Sequence, residues 1–165
     1  MTKIMFLDFD GVISTSRAWV AQKHIEDFHT RWIDPIAVGL VTEACREFGY
    51  TIVVTSTWRK FGEEACRKAL GVAAQFLHDD WRTKEIWPKG PNSSAGSRPA
   101  EIEDWLKRNG GFDGKFEDYI IVDDDGFNWL PDQIDRWIKT HQLDGFSTNN
   151  YEELINRNNG KELDV

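Results

Sequence analysis

The sequence predicts an α/β fold, a parallel sheet of about five strands flanked by helices. Three observations predict it. Short apolar runs of the kind buried on both faces of a sheet alternate with segments of helical spacing. Acids and hydroxyls gather where three of those runs end, and open α/β sheets bind ligands beyond the carboxyl ends of their strands. The 165 residues, 40% hydrophobic and 29% charged, are globular in composition and suit one domain over residues 1–165 with a real core.

The elements follow in order. Lys3 to Phe9 is a continuous apolar run ending in acids, the pattern of a strand covered on both faces. A polar and aromatic stretch runs from Asp10 to Trp32. Asp34 and Pro35 then open a helix as N-cap and first helical residue. Its Ile36, Leu40, Val41, Ala44 and Phe48 keep helical spacing, and Gly49 stops it. Thr51 to Ser56 is the second strand, followed by a helix from Trp58 to Leu70 closed by Gly71. Gln75 to His78 reads as a short third strand. The Pro-, Gly- and Ser-rich stretch from Trp87 to Ser97 is a loop. Pro99 opens a helix with Ile102, Trp105 and Leu106 inward, stopped at Gly110-Gly111. Tyr119 to Val122 is the fourth strand, Arg136 to Thr140 the fifth, and Tyr151 to Arg157 a last helix. Right-handed crossovers join parallel strands so arranged.

Composition narrows the function. With 20 Lys+Arg against 28 Asp+Glu the net charge is −8, which disfavours binding to nucleic acid through its phosphate backbone. A small phosphorylated ligand held by a metal ion is compatible with that charge. No apolar run approaches the ~20 residues that span a bilayer, so no membrane contact is expected. Asp8 interrupts the N-terminus too early for a secretory signal, and the expected location is cytoplasmic. Cys45 and Cys66 lack partners in sequence and read as free, buried thiols. His24, His29, His78 and His141 have no metal-binding spacing. Eight Trp and ten Phe are expected mostly in the core.

Asp8-Phe9-Asp10-Gly11 sets two carboxylates two residues apart where a strand meets a glycine turn. In an extended segment they project to one side, so one can attack while the other handles a proton. A main-chain carbonyl near Asp10 can also face a cation. Val12 and Ile13 exclude an EF-hand loop. Asp123-Asp124-Asp125 at a second strand end crowds like charges, a repulsion that a hard divalent cation such as Mg²⁺ resolves. Thr55-Ser56-Thr57, where strand passes to helix, offers hydroxyls and N–H groups to an anion. Arg98, ahead of a helix, can reach phosphate oxygens, and Lys84 and Lys89 compete with it for that task.

Asp-Phe-Asp-Gly-Val at 8–12, Thr-Ser at 55–56, a basic residue before a helix and Ile-Val-Asp-Asp at 121–124, in that order, resemble the haloacid dehalogenase (HAD) superfamily of phosphatases. The stretch from Arg98 to Leu106, the acids after Ile121-Val122 and Gly145-Phe146-Ser147 are similar to the HAD-like domains of multifunctional RNA-repair proteins, the Swiss Army Knife group. The resemblance implies a Rossmann-like, HAD-like fold with a minimal cap. It also implies a Mg²⁺-dependent phosphomonoesterase acting through a phosphoaspartate. In that scheme Asp8 is the nucleophile and Asp10 the general acid and base. Asp8, the Asp10 carbonyl, Asp123 and Asp124 hold Mg²⁺, and Thr55, Ser56 and Arg98 bind phosphate. The family often uses Lys where this chain offers Arg98, and an acid at position 10 departs from the dehalogenases themselves. Residues Ser14 to Arg31 suit a small flap, and Trp19, Phe28 and Trp32 are candidates to stack on a leaving group, giving a nucleoside monophosphate or similar small ester as substrate. A polynucleotide 3′-end or phosphoprotein phosphatase is the alternative. A receiver-type signalling module is disfavoured, because receivers carry the adjacent acid pair first and the lone acid later.

Overall fold

The alternation of side chains in the first strand, β1 (Thr2–Leu7), decides how the molecule is layered. Met5 and Leu7 join one hydrophobic cluster and Ile4 and Phe6 another, and all four are fully buried. A strand apolar on both sides needs cover on both sides. The computed structural model describes residues 2–86, 98–110 and 116–160.

After β1 come two short helices, α1 (Ser16–Ala21) and α2 (Phe28–Trp32), then the long α3 (Pro35–Phe48). β2 (Tyr50–Val54) leads through a 3-10 turn at Thr57–Phe61 into α4 (Glu63–Leu70). A second 3-10 turn precedes β3 (Leu77–Arg82), and α5 (Arg98–Arg108) precedes β4 (Phe116–Asp123). The chain continues through α6 (Pro131–Ile134), β5 (Trp137–Lys139) and α7 (Thr148–Gly160). The five strands pair in the order β3-β2-β1-β4-β5, every pair parallel. This is the Rossmann-like α/β sheet that the sequence predicts.

On one face, Val41, Ala44 and Cys45 of α3 and Leu154 of α7 pack on Met5, Leu7, Ile52, Val54, Ile120 and Val122. On the other, Ile102, Trp105 and Leu106 of α5 cover Ile4, Phe6, Val53 and Ile121, with Trp105 edge-on to Phe6 at 5.4 Å. Asp34 starts α3 as expected, accepting hydrogen bonds from the N–H groups of Ile36 and Ala37 at 3.0 and 3.3 Å. Thr15 and Arg17 donate to the same carboxylate, at 2.7 and 2.6 Å, and tie the segment after β1 to that helix. Both cysteines are buried and free, their thiols pushed up by burial to about 12 at Cys45 and about 11 at Cys66.

Several expectations need correction. The helix expected over Trp58–Leu70 is broken, because Gly62 takes φ +95° and separates the 3-10 turn from α4. The third strand lies at Leu77–Arg82 instead of 75–78. It is an edge strand with half-buried side chains, so it lacks the apolar run that marks the inner strands. The last helix begins at Thr148, earlier than Tyr151. Among the described residues, the Trp and Phe side chains are not mostly core. Phe6, Phe9, Trp105, Trp129 and Phe146 are, whereas Phe28 and Phe61 are both 60% exposed. The loop expected over 87–97 lies outside the described residues. Among the described residues, no helix is long and apolar enough to cross a membrane.

Candidate active site

The site is made where the three inner strands end together. The N–H of Asp8 donates to Val122 O and that of Thr55 to Leu7 O, both at 3.0 Å, so the ladder runs one residue past each strand. Beyond Asp8 the chain turns sharply. Phe9 O accepts from the N–H groups of Val12, Ile13 and Ser14 at 3.0, 2.9 and 2.8 Å. Gly11, with φ +74°, makes that turn, and a Cβ there would lie 2.2 Å from Asp124 Oδ2. Glycine is thus required both by the backbone and by the carboxylate against it.

Asp8 is 5% exposed and Asp123 fully buried, and one oxygen from each lies within 4.8 Å of the other and of one from Asp124. Burial lifts the Asp8 carboxyl to about 7. The Arg98 guanidinium draws it down and Asp123 pushes it up. Burial raises Asp123 and Asp124 as well, with Asp123 adding to the rise at Asp124. Arg98 Nη1 lies 2.5 Å from Asp123 Oδ2 and 3.3 Å from Asp8 Oδ2. The Phe127 ring sits 4.7 Å from the guanidinium carbon and backs it. Three hard oxygen donors, each made costly to ionise by its surroundings, fit a divalent cation.

Of the four residues named as metal ligands, the structure brings together the side chains of Asp8, Asp123 and Asp124. The Asp10 carboxylate is exposed and is not one of the three that meet, because the chain has left the strand by then, yet its charge still adds to the rise at Asp8 and at Asp124. Asp10 Oδ1 accepts from Trp58 Nε1 at 3.1 Å. Thr55 Oγ1 is buried without a hydrogen-bond partner among the described residues, as a hydroxyl kept for a ligand would be. Ser56 Oγ accepts from the Trp58 N–H at 3.2 Å and so caps the 3-10 turn. Of the competing cations, Arg98 is in the site, Lys84 is exposed, and Lys89 lies outside the described residues.

A cleft of about 500 Å³ opens beside Asp10 and Gly11, walled by Phe28, His29, Trp32, Trp58 and Phe61. Trp19 stands behind this wall. Its ring stacks on Trp32 at 4.6 Å, and Arg31 covers it at 3.5 Å. The flap expected over Ser14–Arg31 is therefore two short helices whose rings pack on one another and on the mouth of the site.

A family model described as the HAD domain in Swiss Army Knife RNA repair proteins matches residues 4–151. The chain belongs to this family. The match runs from β1 into α7, so it encloses the acid cluster, Thr55 and Arg98. Membership makes the chain a HAD-like hydrolase. No curated protein and no solved structure matches it.

Two supports of this HAD-like site escaped the sequence reading. Arg59 and Glu101, both buried, form a two-pronged ion pair at 3.1 Å on each oxygen. Arg59 also donates to the carbonyls of Thr55 and Ser56, so the Thr55 turn is tied to α5, the helix that begins with Arg98. At the chain's other end, Thr140 Oγ1 donates to Gly11 O at 2.6 Å and the Phe146 N–H to Val12 O at 2.8 Å. A Cβ at Gly145 would meet Val12 O at 2.2 Å, which accounts for glycine in the Gly145-Phe146-Ser147 element. The Gly145-Phe146-Ser147 element shows in the sequence, but neither set of contacts does, since each joins residues at least 42 positions apart in the chain.

Proposed function

We propose that this HAD-like hydrolase is a Mg²⁺-dependent phosphomonoesterase that works through a phosphoaspartate on Asp8. The observation that carries the reading is Asp8 itself, a buried carboxylate set between the Arg98 guanidinium and two further carboxylates. Asp8 attacks phosphorus, forming an Asp8 Oδ–P bond as the bond from phosphorus to the leaving oxygen breaks. Asp10 gives its proton to that oxygen, then takes one from the water that attacks the phosphoaspartate, releasing phosphate and free Asp8. Thr55 Oγ1 and Arg98 hold the phosphoryl oxygens as their charge redistributes. Asp8, Asp123 and Asp124, with the Asp10 carbonyl, would hold Mg²⁺, whose charge offsets the carboxylates and polarises the phosphoryl group.

The preferred substrate in this proposal is a nucleoside monophosphate or similar small ester. The aromatic cleft beside Asp10 supports it, since a base can stack there. The description of the family favours a second reading, a phosphatase of polynucleotide 3′ ends, against which the charge of −8 weighs. A cytoplasmic location is part of the proposal and rests on the two free thiols. The test is phosphate release across nucleotides, sugar phosphates and 3′-phosphorylated oligonucleotides, with Mg²⁺ and with EDTA. Release that needs Mg²⁺ and is lost in Asp8→Asn is expected. Undiminished release by Asp8→Asn, or in excess EDTA, would sink the mechanism.

A further inference from the structure

We infer that Trp58 is the positioning residue for Asp10, holding it through the indole N–H while the same ring forms a wall of the cleft. The inference rests on the general acid–base role proposed for Asp10. Asp10 is exposed, so packing does not set its rotamer, and an exposed side chain without a partner samples several. Trp58 Nε1 supplies the partner, donating to Oδ1 at 3.1 Å. Among the described residues this is the hydrogen bond that the carboxylate receives.

The indole is itself held on several sides. Phe9 meets it edge-on at 5.6 Å, His29 at 5.1 Å and Phe61 at 6.3 Å. Its backbone N–H is fixed by Ser56 Oγ, one residue after Thr55. The Thr55 turn and the Asp10 carboxylate are therefore set by one rigid unit.

The chemistry follows from the donor inventory. An indole N–H donates and cannot accept, so Oδ1 is held as an acceptor throughout. The carbonyl-type oxygen of a protonated carboxyl is the better acceptor, so the indole N–H favours the proton on Oδ2, from which it passes to the leaving oxygen and to which the proton taken from water returns. Trp58 thereby selects which oxygen of Asp10 works and aims it. A leaving group stacked in the cleft touches the ring that aims the acid that protonates it.

Trp58→Phe keeps a ring and removes the N–H. General acid help matters most for a poor leaving group, so the variant should lose about 10-fold or more in kcat on an alkyl or nucleoside phosphate and less than about 3-fold on p-nitrophenyl phosphate, within the span of general acid–base effects. In an Asp10→Ala background the same change should cost nothing further. Equal losses on both esters, or losses that multiply with Asp10→Ala, overturn the inference while leaving the phosphatase reading intact. A second readout needs no turnover. The assigned Trp58 indole ¹H–¹⁵N resonance should shift in Asp10→Ala, and an unmoved resonance means the contact is absent. If the wild-type protein releases phosphate from no ester, the phosphatase reading fails and the resonance still decides the contact.

Discussion

Asp8 shows what burial asks of a single residue. Its carboxyl is lifted from 3.8 to about 7 by burial, with Asp123 adding to the rise and Arg98 opposing it. Between those two values the folded chain keeps a proton that the unfolded chain has released. Folding is then helped by acid, and metal-free stability falls as pH rises from about 4 to about 7. The melting temperature in EDTA should accordingly drop across that window, and Mg²⁺ should raise it more at pH 7.5 than at pH 5. A melting temperature that rises over the same interval in EDTA contradicts the site as described. Asp8→Asn should abolish turnover and phosphoenzyme formation and keep the fold, since it removes the charge that is costly to bury. Asp10→Asn should lose roughly 10²- to 10⁴-fold in kcat, the usual reach of general acid–base catalysis.

At the scale of elements, the site depends on the ion pair that ties the Thr55 turn to α5. Arg59 and Glu101 are each about as buried as a core side chain, with side-chain exposures of 6% and 4%. Removing one partner strands the other charge away from water. Glu101→Gln is therefore expected to cost about 3–5 kcal/mol, read from denaturant unfolding. Loss of less than about 1 kcal/mol would mean the pair behaves like a surface bridge. The turn after β1 offers a second check. Gly11→Ala sets a methyl group where Asp124 Oδ2 lies and forces a positive φ on a residue with a Cβ. It should raise the Mg²⁺ concentration needed for half-maximal activity, measured by metal titration.

For the whole molecule, charge and cleft bear on the substrate together. A chain of net charge −8 repels a long polyanion at low salt, and a cleft of about 500 Å³ suits a small leaving group. A nucleoside monophosphate should exceed a 3′-phosphorylated oligonucleotide in kcat/KM. Phe28→Ala and Trp32→Ala should raise KM for the nucleotide more than for an aryl phosphate, since stacking is worth ~1–3 kcal/mol per base. Trp19→Ala should act more weakly, because Trp19 stacks on the far side of Trp32 and does not line the cleft. An oligonucleotide turned over ten times better than every mononucleotide would reverse the choice and favour end repair.

The inner strands, α3 and the acids at the strand ends were legible in the sequence because their signals are local. An apolar run, an N-cap with proline and a carboxylate after a strand each occupy a few neighbouring residues. Arg98 was legible only as one of three cations, and folding singles it out by starting α5 against Asp8 and Asp123. The exposed position of the Asp10 carboxylate outside the buried trio, the Arg59–Glu101 pair and Trp58 over Asp10 were decided by tertiary structure alone. Each depends on where the chain leaves its strand or on contacts across 42 residues or more, and no periodicity records such contacts. Local chemistry determined which residues could act. The meeting of three strand ends decided which of them face one another, because only the packed sheet brings those distant carboxylates and the guanidinium into one small, nearly dry volume.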